Sequence, residues 1–180
     1  MPRSFITFIS KFLIKLSTIY WSLIYSNYRG KYKLLSSFKF NGKGIVFYGE
    51  GNIYIGECSY IGGISTIQSV SGATVTIGKN CQLSHNVRIY TQSLIANHDF
   101  SITPIPSYIK NVTVGDYCWI GANVFINPGV TIGSNSVIGA NAVVTKDVPE
   151  NAVMVGIPAK NVGTTTGEFK PYGITPSSDK

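Results

Sequence analysis

Between Val114 and Val148 the chain repeats with a period of six. Val114, Ile120, Ile126, Ile132, Ile138 and Val144 are all β-branched and aliphatic. Four places after each stand Cys118, Val124, Val130, Ser136, Ala142 and Val148, which are small or apolar. A helix face repeats every 3.6 residues and a half-buried strand every two, so six means a short strand and a turn, repeated. Such units wind into a β-helix whose aliphatic residues stack in columns. A β-branched residue fills each inward position and suits extended backbone. Gly115, Gly121, Gly133 and Gly139 follow four of the aliphatics, where the chain is expected to bend and Gly tolerates the dihedrals.

The same step runs earlier through Ile55, Ile61 and Ile67, and again through Ile77, Leu83 and Ile89. Between Ile67 and Ile77 the interval is too long, so Ser69–Thr74 carries a small bulge or loop. From Ile89 to Val114 the repeat is absent, and residues 92–111 read as a long irregular loop, where function concentrates. Residues 4–29 follow a different rule. Ser4, Thr7, Lys11, Lys15, Thr18, Ser22, Ser26 and Arg29 step by three or four, a polar stripe on an otherwise apolar helix. Lys11 and Lys15 break any run of the roughly 20 apolar residues that a membrane span needs. The expected organisation is a basic amphipathic helix and connector over 1–44, a β-helix over 45–162, and a tail over 163–180 in which Phe169 and Tyr172 could dock.

The charge is unevenly placed. Residues 1–50 hold eight Lys or Arg against Glu50 alone, whereas residues 51–180 balance, so the net charge of +7 belongs to the N-terminal segment. Three readings of residues 4–43 follow: an anionic membrane surface against the basic, aromatic-rich helix; packing on the β-helix or on partner copies; or nucleic acid, for which no recognition module is visible. Cys58, Cys81 and Cys118 have no metal-ligand or disulfide-framework spacing, and the latter two fall on inward positions as small core residues of a reducing compartment. No metal is expected.

Particular segments carry a family resemblance. Trp119-Ile120-Gly121-Ala122, Asn127-Pro128-Gly129-Val130-Thr131-Ile132-Gly133, Val137-Ile138-Gly139-Ala140, Val143–Pro149 and Gly156-Ile157-Pro158-Ala159-Lys160 resemble the hexapeptide-repeat acyltransferases, in particular the galactoside, maltose and polysaccharide O-acetyltransferase branch. The resemblance covers about Ile53 to Val162. It implies a mainly β fold, a left-handed parallel β-helix with a protruding loop, assembled as a homotrimer that uses acetyl-CoA as cosubstrate. The hand comes from the resemblance; the period does not supply it.

Acyl transfer to a hydroxyl needs a base for the hydroxyl proton, donors for the developing oxyanion, and a surface that positions the acyl carrier. The chain has two histidines, His85 and His98. His98 lies inside the loop, in Asn97-His98-Asp99-Phe100, and its position is similar to that of the family's catalytic histidine. Imidazole exchanges protons near neutral pH, which suits a general base. His85, Asn86 and Asp99 are expected acceptor contacts. By resemblance, Trp119, Ala122, Ala140, Thr145, Lys146 and Lys160 fall where this branch contacts acetyl-CoA. Trp119 is out of phase with the inward positions and should face outward. The lysines would meet the CoA phosphates.

The expected function is transfer of acetyl from acetyl-CoA to a sugar hydroxyl of a bacterial surface polysaccharide or its lipid-linked precursor, in the cytoplasm or peripherally on the inner face of the membrane. N-acetylation of an amino sugar nucleotide is the enzymatic alternative, although no Gly-rich nucleotide fingerprint is present. A non-catalytic β-helix scaffold is the other. A zinc hydratase on this fold would need three histidines and is set aside.

Overall fold

The computed structural model describes residues 3–166. Phe169 and Tyr172 lie outside the described residues. The period of six becomes three parallel sheets, and from Lys39 to Val144, the hairpin apart, each successive strand passes to the next sheet. The first face comprises Lys39–Asn41, Tyr60–Gly62, Gln82–Leu83, Trp119–Ile120, Val137–Ile138 and Ala152–Val155. The second comprises Val46–Tyr48, Thr66–Gln68, Arg88–Ile89, Phe125–Ile126 and Val143–Val144. The third comprises Asn52–Ile55, Thr74–Ile77, Val112–Val114 and Thr131–Ile132. The result is a three-faced coil. The six aliphatics from Val114 to Val144 are 1% exposed or less, and their small partners from Cys118 to Val148 no more than 4%.

The corners are built from three devices. First, Asn80, Asn86, Asn123, Asn135, Asn141 and Asn151 all sit at φ between 55° and 62°. Asn tolerates this left-handed conformation because its short side chain bonds locally. Along one corner the amides also form a ladder: Asn86 Nδ2 donates to Asn123 Oδ1 at 2.9 Å, and Asn123 Nδ2 to Asn141 Oδ1 at 3.0 Å. Replacing Asn123 by Ala loses both bonds and strains the backbone, at an expected cost of about 2 kcal/mol in denaturant unfolding. Asn123→Gly keeps the backbone relaxed and should cost less; equal losses would show that the ladder, and not the dihedral, is what matters.

Second, small inward side chains satisfy the carbonyls of the next coil. Ser59 Oγ donates to the Gly78 carbonyl at 2.8 Å, Cys81 Sγ to Gly115 at 3.0 Å, Cys118 Sγ to Gly133 at 3.2 Å and Ser136 Oγ to Pro149 at 2.8 Å. Contact with the Cys81 thiol and burial together push the Cys118 thiol up, so it stays a protonated donor. The cysteines are structural, as their inward positions predict.

Third, the corner glycines have a different reason from the expected one. Gly115, Gly121, Gly133 and Gly139 do not adopt left-handed dihedrals. A Cβ at Gly115 or Gly121 would lie 2.6 Å from the backbone nitrogen of Ser134 or Ala140 on the next coil. Close approach of coils, and not the bend, selects Gly there.

Two segment boundaries also differ from expectation. The first coil begins at Lys39, before residue 45. The last strand, Lys160–Thr164, folds back antiparallel on Ala152–Val155, so Gly163 and Thr164 belong to the sheet and not to a tail. Residues 92–111 are not irregular throughout: Gln92–Leu94 and Ser107–Ile109 pair as an antiparallel hairpin below an irregular tip.

Among the described residues one helix, α1, spans Arg3–Lys31. Its last turns cap the open N-terminal end of the coil, where Tyr25 stacks on Phe40 at 4.2 Å and Tyr28 on Phe47 at 5.2 Å. Arg29 donates to the Leu35 and Phe38 carbonyls at 2.8 and 2.7 Å.

Candidate active site

The coil brings most of the sequence-predicted residues to the two edges of the second face. At the corner between the first and second faces, the Asn123 amide donates to the His85 carbonyl and the Asn141 amide to the Ala122 carbonyl. His85, Ala122 and Ala140 therefore stack in one column. Among the described residues, the backbone N–H groups of Ala122 and Ala140 have no acceptor within the protein, leaving two aligned donors at an accessible corner. Trp119 precedes this column on the first face and is 55% exposed, as its phase predicts. Lys160 pairs with Val155, and the Ala159 amide donates to the Val143 carbonyl, which puts Lys160 at the end of the same edge.

The other edge of the second face carries Thr145 and Lys146, both exposed. Two coils earlier on that corner the hairpin leaves the body. Its base is tied down: the Lys110 amide donates to the Thr91 carbonyl at 2.9 Å, and Thr91 Oγ1 accepts from the Val70 amide at 3.0 Å. Between the two edges lie Arg88, which is exposed, and a Tyr90–Phe125 stack at 5.2 Å. Sequence periodicity marks these three only as outward positions, so their grouping was missed.

His98 sits at the hairpin tip, partly covered. Its Nε2 lies 3.1 Å from the Ile102 carbonyl. A carbonyl only accepts, so Nε2 is the donor in this contact, and in the neutral ring the other nitrogen then holds the lone pair. The tip is held in shape by Asp99, whose Oδ1 accepts from the Ser101 amide at 2.9 Å and the Ser101 hydroxyl at 2.7 Å, while the Asp99 carbonyl accepts from the Ile102 amide at 3.0 Å. The Ser101 hydroxyl and amide hold the Asp99 carboxyl below its ordinary range. A depressed carboxyl stabilises the turn above that range, and the contribution is lost as pH falls toward the depressed value. Asp99 thus shapes the tip from within, and Asn86 is committed to the corner ladder. Leu94, Ile95, Phe100, Ile102 and Ile105 on the hairpin are exposed. Among the described residues, no cluster of His, Cys, Asp or Glu could hold a metal ion.

Known proteins carry the same repeat. Residues 111–146 match the family model for the bacterial transferase hexapeptide, six repeats. Galactoside O-acetyltransferase of Escherichia coli K12 is 40% identical over 128 residues, covering 71% of this chain and 62% of that protein. WbbJ of the same organism, provisionally named a lipopolysaccharide biosynthesis O-acetyl transferase, is 31% identical over 137 residues, covering 72% of this chain and 65% of WbbJ. The chain thus spans somewhat under two thirds of the length of these relatives. A hexapeptide-repeat acetyltransferase of Vibrio cholerae, solved with acetyl coenzyme A, aligns with a TM-score of 0.58 at 30% identity, covering 73% of each chain. These likenesses imply the left-handed sense for the three-faced coil. With its period of six, its three parallel faces and its hairpin, the chain belongs to the hexapeptide-repeat acetyltransferases.

Proposed function

We propose that the protein transfers acetyl from acetyl-CoA to a sugar hydroxyl, with His98 as general base. The observation that carries this reading is the His98 ring at the hairpin tip, held to the Ile102 carbonyl so that one nitrogen keeps a free lone pair. That nitrogen takes the proton of the acceptor hydroxyl as its oxygen attacks the acetyl carbonyl carbon. The aligned Ala122 and Ala140 amides suit the developing oxyanion or the amides of the pantetheine arm. When the carbon–sulfur bond breaks, the leaving thiolate receives the proton from the His98 imidazolium. Lys146 and Lys160 on either edge of the second face, with Arg88 between the edges, supply charge for the CoA phosphates, and Trp119 offers an aromatic wall.

The hairpin's exposed apolar tip and the second face fit a homotrimer in which one copy's hairpin reaches another's face. The acceptor we assign is a surface polysaccharide or its lipid-linked precursor, in keeping with the name of WbbJ. Nothing in the geometry favours an amino sugar nucleotide.

The test is thiol release from acetyl-CoA across a panel of glycans and sugar nucleotides. Release that depends on a hydroxyl acceptor is expected. Release that depends on an amino sugar, or no binding of acetyl-CoA at all, would overturn the reading. In the same assay, Lys146→Ala combined with Lys160→Ala should raise KM for acetyl-CoA about tenfold at unchanged kcat, as for loss of charged hydrogen bonds made equally in ground and transition states.

A further inference from the structure

Lys43 Nζ, donating to the Ile14 carbonyl at 3.4 Å, makes the one tertiary hydrogen bond that residues 3–16, the N-terminal half of α1, receive among the described residues. None of its residues is buried, and residues 3–16 are exposed throughout. Isolated helices draw most of their stability from burying an apolar face, so this half needs a surface outside the fold. The contacts of the other half show how the helix is turned. Ser17 accepts from Lys43 Nζ at 3.3 Å, and Tyr25 and Tyr28 stack on the first coil. Roughly opposite on the wheel run Phe5, Phe8, Phe12, Leu16, Ile19 and Leu23, 45–69% exposed. This stripe points away from the β-helix, while Ile6, Leu13 and Ile14, 51–62% exposed, extend the apolar surface round to the other flank. On the side of the polar stripe, Ser22, Ser26 and Arg29 line an open groove of about 730 Å3 against Lys39 and Tyr60, so water has its own side.

We propose that this stripe docks the protein on an anionic lipid bilayer, with α1 lying in the interface between the lipid and the β-helix. Two observations choose lipid over a second copy of the chain. Before Glu50 there are eight basic residues and no acidic one, so the same segment of another copy would bring like charge and no counter-charge, whereas anionic headgroups complement it. Lys11 and Lys15 border the apolar stripe, where their stems can lie along the interface with the ammonium groups at headgroup level. The helix is not long and apolar enough to cross a membrane, so it lies on the surface. The inference does not rest on acetyl transfer; where both hold, the enzyme sits beside a lipid-borne acceptor.

The full chain is tested by flotation with vesicles of phosphatidylcholine alone and of phosphatidylcholine mixed with phosphatidylglycerol. Recovery with the anionic vesicles is expected, weakened about fivefold for each charge removed in Lys11→Gln with Lys15→Gln and abolished in Phe12→Glu with Leu16→Glu. The melting midpoint of the β-helix should be the same in both variants, because those side chains pack on nothing in the fold. Failure of the native chain to float with anionic vesicles overturns the proposal, as does equal flotation of the Phe12→Glu, Leu16→Glu variant. So does a smaller assembly of that variant in sedimentation, which would make the stripe a contact between copies. A lowered melting midpoint would overturn it too, by showing that the stripe packs within the protein.

Discussion

Replacing His98 by Ala is expected to lower kcat by about two to four orders of magnitude, the range that a positioned general base contributes. Binding of acetyl-CoA should change little, because the residues assigned to the donor lie on the second face and its edges, whereas His98 lies on the hairpin tip. The distinction is measurable: thiol release gives kcat, and calorimetry with a non-transferable CoA analogue gives Kd. The prediction has a geometric basis beyond the presence of a histidine. The ring is held at one nitrogen by the Ile102 carbonyl, and the turn that presents this carbonyl is closed by the Asp99–Ser101 bonds. A histidine serving only to pack the tip would need neither a defined tautomer nor a free lone pair. If His98→Ala retains activity within tenfold of the native protein, the base is elsewhere. His85 is then the next candidate, because it stacks directly on the Ala122 column.

Gly133→Val should be the most damaging single change to the fold away from the site. A Cβ at Gly133 would meet the Glu150 amide nitrogen, with the Glu150 Cα at 2.7 Å and the Pro149 carbonyl carbon at 2.8 Å. All three are backbone atoms of the next coil, held by the Gly133 amide donating to the Val148 carbonyl at 2.9 Å. They cannot rotate away as a side chain could, so the coils must separate. Overpacking of this kind costs about 3 kcal/mol or more, a large part of a typical stability of about 5–15 kcal/mol. The adjacent Cys118 thiol bond to the Gly133 carbonyl, at 3.2 Å, would be lost with it. Gly30→Ala is the matched contrast. Gly30 lies in α1 with nothing within 4 Å of an added Cβ, and Ala there should gain about 1 kcal/mol from helix propensity. Denaturant midpoints that move in opposite directions for the two glycines would bear this out. An unchanged midpoint for Gly133→Val would mean that the coils are not held as closely as described.

The two predictions differ in how far the chain alone foretells them. A period of six decides which side chains share a column, because each face of the coil consumes a fixed number of residues. The inward positions from Val114 to Val148, the outward phase of Trp119 and the loop that interrupts the repeat were all legible in this way. The helix over residues 4–29 was legible from its polar stripe, since 3.6 residues per turn leave the same mark whatever the helix packs against.

What only the tertiary structure decided are relations between coils. His85 and Ala122 stack although the two positions are separated by the hairpin, and Ala122 and Ala140 stack without one; a linear repeat does not say how many residues an excursion adds between levels. The corner glycines answer to the backbone of a neighbouring coil, which lies a full turn away in sequence. The asparagines, together with Cys58, Ile64 and Tyr117, and not these corner glycines, take the left-handed dihedral. Asp99 turned inward to Ser101 because a carboxylate beside two donors in a tight turn satisfies them before it reaches a neighbour. The apolar stripe of α1 was visible in the sequence, but its direction, away from the β-helix, was set by which aromatic side chains stacked on the first coil.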